Sequence, residues 1–401
     1  MTRPELPSVE EYEARAKQLQ ATMKETELDG ALLFQRVDVL YFSGTGQNAA
    51  LFIPSTGTPL LMVRQSYERV QKERVAGRIT RFRRIRDLSR ILKDFGICDL
   101  ARVGLELDVL PVLEYQKLKR SLDVREFLNI SPLVLNLRMI KSPTEVKLMK
   151  QAARVVKMGH ERAREILETD GVGIREIELA AEVEAAMRRE GHDGLIHLRR
   201  WNQENFYGHI LSGPNGALPS YVASPTGGQG TSIAVPQGAG NRKIQRNEPI
   251  LVDIVGAYQG YYTDASRTYV IGQLHNSLLN AYQLTLQILK QAIKHIRIGT
   301  LSREVYQLAL TMAREGGYEQ GFMGCTNDRA PFLGHGIGME LDELPVLSKR
   351  SDTRLQKNMT LAIEPKIAIP KVGVVGVEDA YQLTDTGLKS LTQWENFLDI
   401  V

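Results

Sequence analysis

Two consecutive apolar runs, 250–255 and 261–271, each enclose one carboxylate, Asp253 in the first and Asp264 in the second. The connection Ala257-Tyr258-Gln259-Gly260 suits a tight hairpin turn. With Tyr258 and Gln259 as the two loop residues, Asp253 faces Asp264 directly; a one-residue slip makes them diagonal. Either way, two like charges lie within one ion's reach inside a sheet that excludes water. Without a cation that burial costs several kcal/mol. Strand alternation lets a single aspartate face solvent, but the pair together asks for something positive between them.

The anomaly recurs downstream. Glu364 sits in the apolar run 361–365 and Glu378 in the run 374–380, with 370–373 between them as a hairpin turn. His335 stands among three glycines, Gly334-His335-Gly336-Ile337-Gly338, which let the backbone approach a neighbour closely. His160, His275 and His295 have no such setting and read as core or surface histidines. The four acids carry a charge that two divalent ions balance, and a neutral imidazole completes a set dominated by hard oxygens. The nitrogen favours Mn²⁺, Co²⁺, Fe²⁺ or Zn²⁺ over Mg²⁺. Two ions about 3.5–4 Å apart can share and activate one water, chemistry suited to amide hydrolysis.

The remainder of the chain frames this centre. Ser8 followed by Glu11 predicts a capped helix whose apolar side holds Val9, Tyr12, Leu19 and Met23. Short apolar runs at 31–34, 39–42, 50–53, 59–63 and 103–107 read as strands, and 66–76, 86–95 and 111–120 as helices. Ser142-Pro143-Thr144-Glu145 opens a long helix to about 167, followed by another over 174–190. The expected division is an α/β N-terminal domain over 1–140 and a catalytic domain over 141–401. Residues 191–247, with His192, His197, Trp201, His209 and many glycines, read as a long excursion of the kind that carries function. Its glycines lack the Lys-Ser/Thr of a phosphate loop.

Composition narrows the partners. A net charge of +4, from 51 basic and 47 acidic residues, excludes nucleic acid and anionic membrane as expected partners. Cys98 and Cys325 form no paired motif, so neither a disulfide nor a zinc–cysteine site is expected. With no apolar stretch of signal-peptide or transmembrane length, the expectation is a cytoplasmic protein.

In order, Asp253, Asp264 eleven residues on, His335 in GHGIG, Glu364 in IEP and Glu378 in VED resemble the metallopeptidases of the pita-bread fold. That family holds methionine aminopeptidases, proline-specific aminopeptidases, prolidases and creatinase. All five family metal ligands match in type, order and local context. The resemblance covers 141–401, and the first 140 residues resemble, less sharply, the α/β N-terminal domain of prolidases and creatinase. It implies an α+β pita-bread catalytic domain of two halves related by an approximate internal twofold, and a homodimer. It further implies two divalent ions, Mn²⁺ foremost, and a Glu364 that binds metal and handles the proton of the attacking water.

The chain also departs from that family. Where relatives carry outer histidines it has Ser220 after Asn215-Gly216-Ala217-Leu218-Pro219, Asp342 seven residues after His335, and Pro331 four residues before it. Gly376 replaces the arginine that proline aminopeptidases often carry, and the stretch 221–247 is longer than the family's. In relatives these outer groups bind the substrate carbonyl and shuttle protons. Ser220 stays neutral near pH 7, and an ionised Asp342 cannot donate to an oxyanion. His209 is the candidate donor, with His197 second, against the alternative that both are loop histidines solvated at the surface; Ser220, Asp342 and His197 are the candidate pocket residues. The expected activity is a dinuclear-metal Xaa-Pro aminopeptidase or dipeptidase acting on a small peptide. The alternatives are a creatinase-like hydrolase or lyase of a small polar metabolite, or a non-catalytic metal-binding homologue.

Overall fold

A computed structural model describes residues 6–73, 75–325 and 327–392, and the backbone of 399–400. The chain forms two compact units, Met1–Arg138 and Met139–Val401.

The first unit runs α1 (Val9–Glu25), β1 (Gly30–Leu33), α2 (Arg36–Ser43), β2 (Ala49–Pro54), β3 (Leu60–Val63), α3 (Tyr67–Val70), β4 (Arg78–Arg81), α4 (Leu88–Asp94), β5 (Arg102–Leu105), α5 (Val112–Ser121), β6 (Glu126–Asn129) and α6 (Ser131–Met139). Its sheet has the order β4-β3-β2-β1-β5-β6. The β1–β2 and β2–β3 pairs are antiparallel and the β3–β4, β1–β5 and β5–β6 pairs parallel. The Ser8 side chain accepts from the Glu11 amide at the start of α1, which buries Tyr12, Ala16, Leu19 and Met23.

Two expectations fail in this unit. Residues 39–42, read as a strand, lie within α2, because Gln35 caps its amino end and Gly44 closes it in the left-handed conformation. A four-residue apolar run fits either a strand or one buried turn of helix. The helix expected over 66–76 is a single turn, Tyr67–Val70.

The second unit begins with α7 (Pro143–Asp170), whose capping box joins Ser142 to Glu145 in both directions. It continues through α8 (Glu176–Glu190), β7 (Gly208–Ser212), β8 (Ile250–Tyr258), β9 (Tyr261–Val270), α9 (Asn276–His295) and α10 (Ser302–Glu315). The last strands are β10 (Gly334–Gly336), β11 (Thr360–Ile363), β12 (Lys366–Ile369), β13 (Gly373–Gly376), β14 (Asp379–Thr384), β15 (Gly387–Ser390) and β16 (Asp399–Ile400). One sheet has the order β16-β9-β8-β7, another β10-β11-β14-β15, and β12–β13 forms a separate hairpin. Val156, Ala163 and Leu167 of α7 and Val183 of α8 share a core with Val252, Ile254 and Ala265 of the first of these sheets. Leu278, Tyr282 and Leu289 of α9 and Val305 and Ala309 of α10 share a second core with Leu361, Ile363, Tyr381 and Leu383. Each half is thus a helix pair laid on a sheet.

The β8–β9 hairpin differs in register from the first expectation. Asp253 pairs with Ser266 and Asp264 with Val255, so the two acids are diagonal. The loop residues are Gln259 and Gly260, both at positive φ (50° and 79°). That is the conformation of a type I′ turn, whose twist matches the strands. Glu364 and Glu378, expected inside strands, lie just outside them. Glu364 follows β11 and Glu378 precedes β14, and the Val377 amide donates to the Pro365 carbonyl across the break (3.3 Å). Pro365 has no amide to continue the ladder, so the ribbon bends there and both glutamates sit at the bend.

Among the described residues no helix is long and apolar enough to cross a membrane. Both cysteines are free, Cys98 exposed and Cys325 buried.

Candidate metal centre

Four chain segments meet at the acids. The β8–β9 hairpin presents Asp253 and Asp264, and an isolated bridge between Ser266 and Glu378 fastens the last glutamate to β9. The Ser266 hydroxyl donates to Glu378 Oε2 (2.7 Å), and Arg267 donates to the Glu378 carbonyl (2.8 Å) and to Asp379 (2.8 Å). His335 comes from β10, which pairs with β11. A Cβ at Gly334 would lie 2.1 Å from the Ala362 carbonyl oxygen, and one at Gly336 2.0 Å from that of Leu344. Only glycine fits at either place, which is the close approach the motif predicts. Glu343, paired with Lys141 (2.7 Å), accepts from the Met339 and Glu340 amides and fixes the loop carrying Asp342.

Asp264, His335 and Glu378 each offer one donor atom within 4.8 Å of the others, an arrangement that can hold a metal ion. The His335 Nδ1–H donates to the Gly336 carbonyl (3.0 Å), so Nε2 is the ring atom that faces Asp264 Oδ2 and Glu364 Oε1, each at 3.7 Å. Asp264 Oδ1 is buried with no hydrogen-bond partner. An orphaned carboxylate oxygen is costly, and a cation beside it removes that cost. The residues present therefore fit a divalent ion.

The other side of the cluster holds Lys366. Its ammonium lies 2.7 Å from Glu364 Oε2, 2.7 Å from Glu378 Oε2 and 3.1 Å from Asp253 Oδ2. The electrostatics follow from this division. Burial, reinforced by Glu378, pushes the Asp264 carboxyl well above the ordinary range. Burial likewise lifts Glu364 to about 8 against the pull of Lys366. Burial would also raise Asp253, but Lys366 holds it below its usual value. Burial opposes a charge on His335, yet Asp342, Asp264, Glu364 and Glu378 prevail and raise it to about 9. An arriving ion must displace that proton.

The acids and His335 form the floor of a cleft. Its walls include Gln203, Asn205, His209, Gln237, Phe332 and Asp342. His209 lies on β7 opposite Asp253, so it is not a solvated loop residue. Its Nδ1 is 3.0 Å from Thr226 Oγ1 and its Nε2 3.5 Å from Gln237 Oε1, and burial keeps it neutral by lowering its pKa. Asp342 Oδ1 is 3.8 Å from His335 Nδ1.

Two expected pocket residues are elsewhere. His197 borders an adjoining depression, and the Ser220 hydroxyl donates to the Pro236 carbonyl (2.8 Å) without lining the cleft. Pro331 is exposed, and Gly376 pairs with Lys366 in the β12–β13 hairpin. The long stretch 221–247 folds back on itself, with Gly230 donating to Gly238 and Gly238 to Gly227, and it supplies Val222, Ser224 and Gln237 to the cleft. Lys366 escaped the sequence reading. Its signal was a lone cation in the apolar run after Glu364.

The sequence matches Metallopeptidase family M24 over residues 147–385 and the Creatinase/Prolidase N-terminal domain over residues 15–140. The Xaa-Pro dipeptidase of Pyrococcus furiosus is 29% identical over 396 residues, covering 96% of this chain and 99% of the relative. The solved structure of the prolidase from Pyrococcus horikoshii OT3 superposes with a TM-score of 0.81 at 26% identity, covering 96% of this chain and 99% of that one. The Xaa-Pro dipeptidase from Bacillus anthracis gives 0.82 at 28% identity, over 97% and 100%.

Proposed function

The chain belongs to metallopeptidase family M24 and is a metal-dependent hydrolase, and from that premise we propose that it cleaves dipeptides with proline in the second position. The observation that carries this reading is the convergence of Asp264, His335 and Glu378 on the floor of a cleft, with Glu364 beside them. The names of the relatives support the substrate class. Manganese is the favoured ion, because two carboxylates and one imidazole suit a fairly hard cation. A second copy of the chain is the expected partner and the cytoplasm the expected place.

When bound, the ion supplies Lewis-acid polarisation and lowers the pKa of water. Glu364 takes the proton of the attacking water and returns it to the leaving nitrogen. Lys366 holds Oε2 of Glu364 at 2.7 Å, which leaves Oε1 for the proton. His209, neutral and in the cleft wall, gives its Nε2–H to the substrate in exchange for the long bond to Gln237 (3.5 Å). His209→Ala is expected to lower kcat and kcat/KM together by about 10²-fold. Unchanged kinetics in steady-state assays would reduce His209 to a wall residue.

A second reading has one observation in its favour. Asp342 places an acid in the cleft wall where the resemblance leads one to expect histidine, and an acid there attracts a cationic amidine or guanidinium. A panel of Xaa-Pro dipeptides, longer Xaa-Pro peptides and creatine-like compounds, assayed with Mn²⁺, Co²⁺ and Zn²⁺, separates the two. Turnover of dipeptides above the rest supports the dipeptidase, and turnover of the guanidino compounds alone replaces it.

A further inference from the structure

We propose that Lys366 is a resident cation standing in place of a second divalent ion, so that the centre holds a single ion on Asp264, His335 and Glu378. The inference rests on the metal-dependent reading above and concerns how many ions the site takes.

The Lys366 side chain is 1% exposed, and the three contacts of its ammonium, on Asp253, Glu364 and Glu378, match the three protons it can donate. Asp253 and Glu364 are the two expected metal ligands outside the three-residue group. One oxygen of each, Asp253 Oδ2 and Glu364 Oε2, is engaged by the lysine instead. A divalent ion on those oxygens would need contacts of about 2.0–2.2 Å, in the space the ammonium fills. Keeping both would set two cations side by side in a buried site, where their repulsion is poorly screened.

The fold makes room for this side chain. Lys366 pairs with Gly376 across the β12–β13 hairpin. A Cβ at Gly376 would lie 2.6 Å from Lys366 Cγ and 2.8 Å from the Pro365 carbonyl oxygen. The absence of a side chain at Gly376, noted in the sequence as a lost arginine, is thus the space occupied by the lysine stem. Gly376 and Lys366 thus form one feature seen from both strands.

The test is metal stoichiometry, which does not depend on turnover. Wild-type protein is loaded with Mn²⁺, freed of excess and examined by elemental analysis and electron paramagnetic resonance. One equivalent per chain and an uncoupled Mn²⁺ signal are expected. Two equivalents, or an exchange-coupled spectrum, overturn the proposal while leaving the metallohydrolase reading intact. Lys366→Ala, produced in the presence of Mn²⁺, should rise to two equivalents, whereas Lys366→Arg should stay at one. A folded Lys366→Ala that stays at one equivalent also overturns it. If Lys366→Ala does not fold, the wild-type count decides. No ion in either protein overturns both this proposal and the metal-dependent reading.

Discussion

Asp264→Ala is expected to lose at least one metal equivalent and to slow turnover by about 10³-fold or more. Asp264 contributes one of three donors that approach within 4.8 Å, and its Oδ1 has no other partner. Removing it leaves His335 and Glu378, too few to hold an ion firmly. The loss of Lewis-acid stabilisation is worth several kcal/mol, and each step of about 1.4 kcal/mol is tenfold in rate. Elemental analysis beside the kinetic assay checks both halves. A folded variant with full metal content would remove Asp264 from the centre. Because the substitution also relieves buried like-charge repulsion, the apo fold should tolerate it.

Glu364→Gln is expected to lower kcat and kcat/KM equally, by about 10²–10⁴-fold, the usual contribution of a positioned general acid–base group. The amide oxygen can still accept from Lys366, which now bonds to Glu364 at 2.7 Å, so the neighbourhood is retained. What is lost is the proton acceptor. Circular dichroism and metal content should stay near wild type. A folded, metallated variant with wild-type rates would assign the proton transfer to another group.

The centre was legible because charge inside an apolar strand is physically anomalous. Asp253, Asp264, Glu364 and Glu378 each stand in such a run, and His335 among glycines that only close packing requires. What was less legible depended on backbone conformation or on contacts distant in sequence. The hairpin register turned on which two residues take positive φ, and Gln259 is not an obvious choice. The run 39–42 is too short for its period to distinguish helix from strand, and the cap from Gln35 was the missing signal. Ser220 and His197 sit in a stretch without a period, so only the folded loop shows that neither lines the cleft. Lys366 is a single cation whose meaning appears only when Asp253, more than a hundred residues earlier, is brought against it.

A lysine attached to its own acid cluster also changes how the protein depends on its surroundings. An ion stabilises the fold by mass action, through a logarithm of its free concentration over its dissociation constant, so its help fades when the metal is scarce. The ammonium of Lys366 is tethered, and its effective concentration at Asp253, Glu364 and Glu378 is set by the β12 backbone rather than by supply. Part of the cluster is neutralised as soon as the hairpins close. Folding can then run ahead of metal loading, and a metal-starved cell would hold a folded reserve of inactive chains that an influx of ion could switch on without new synthesis.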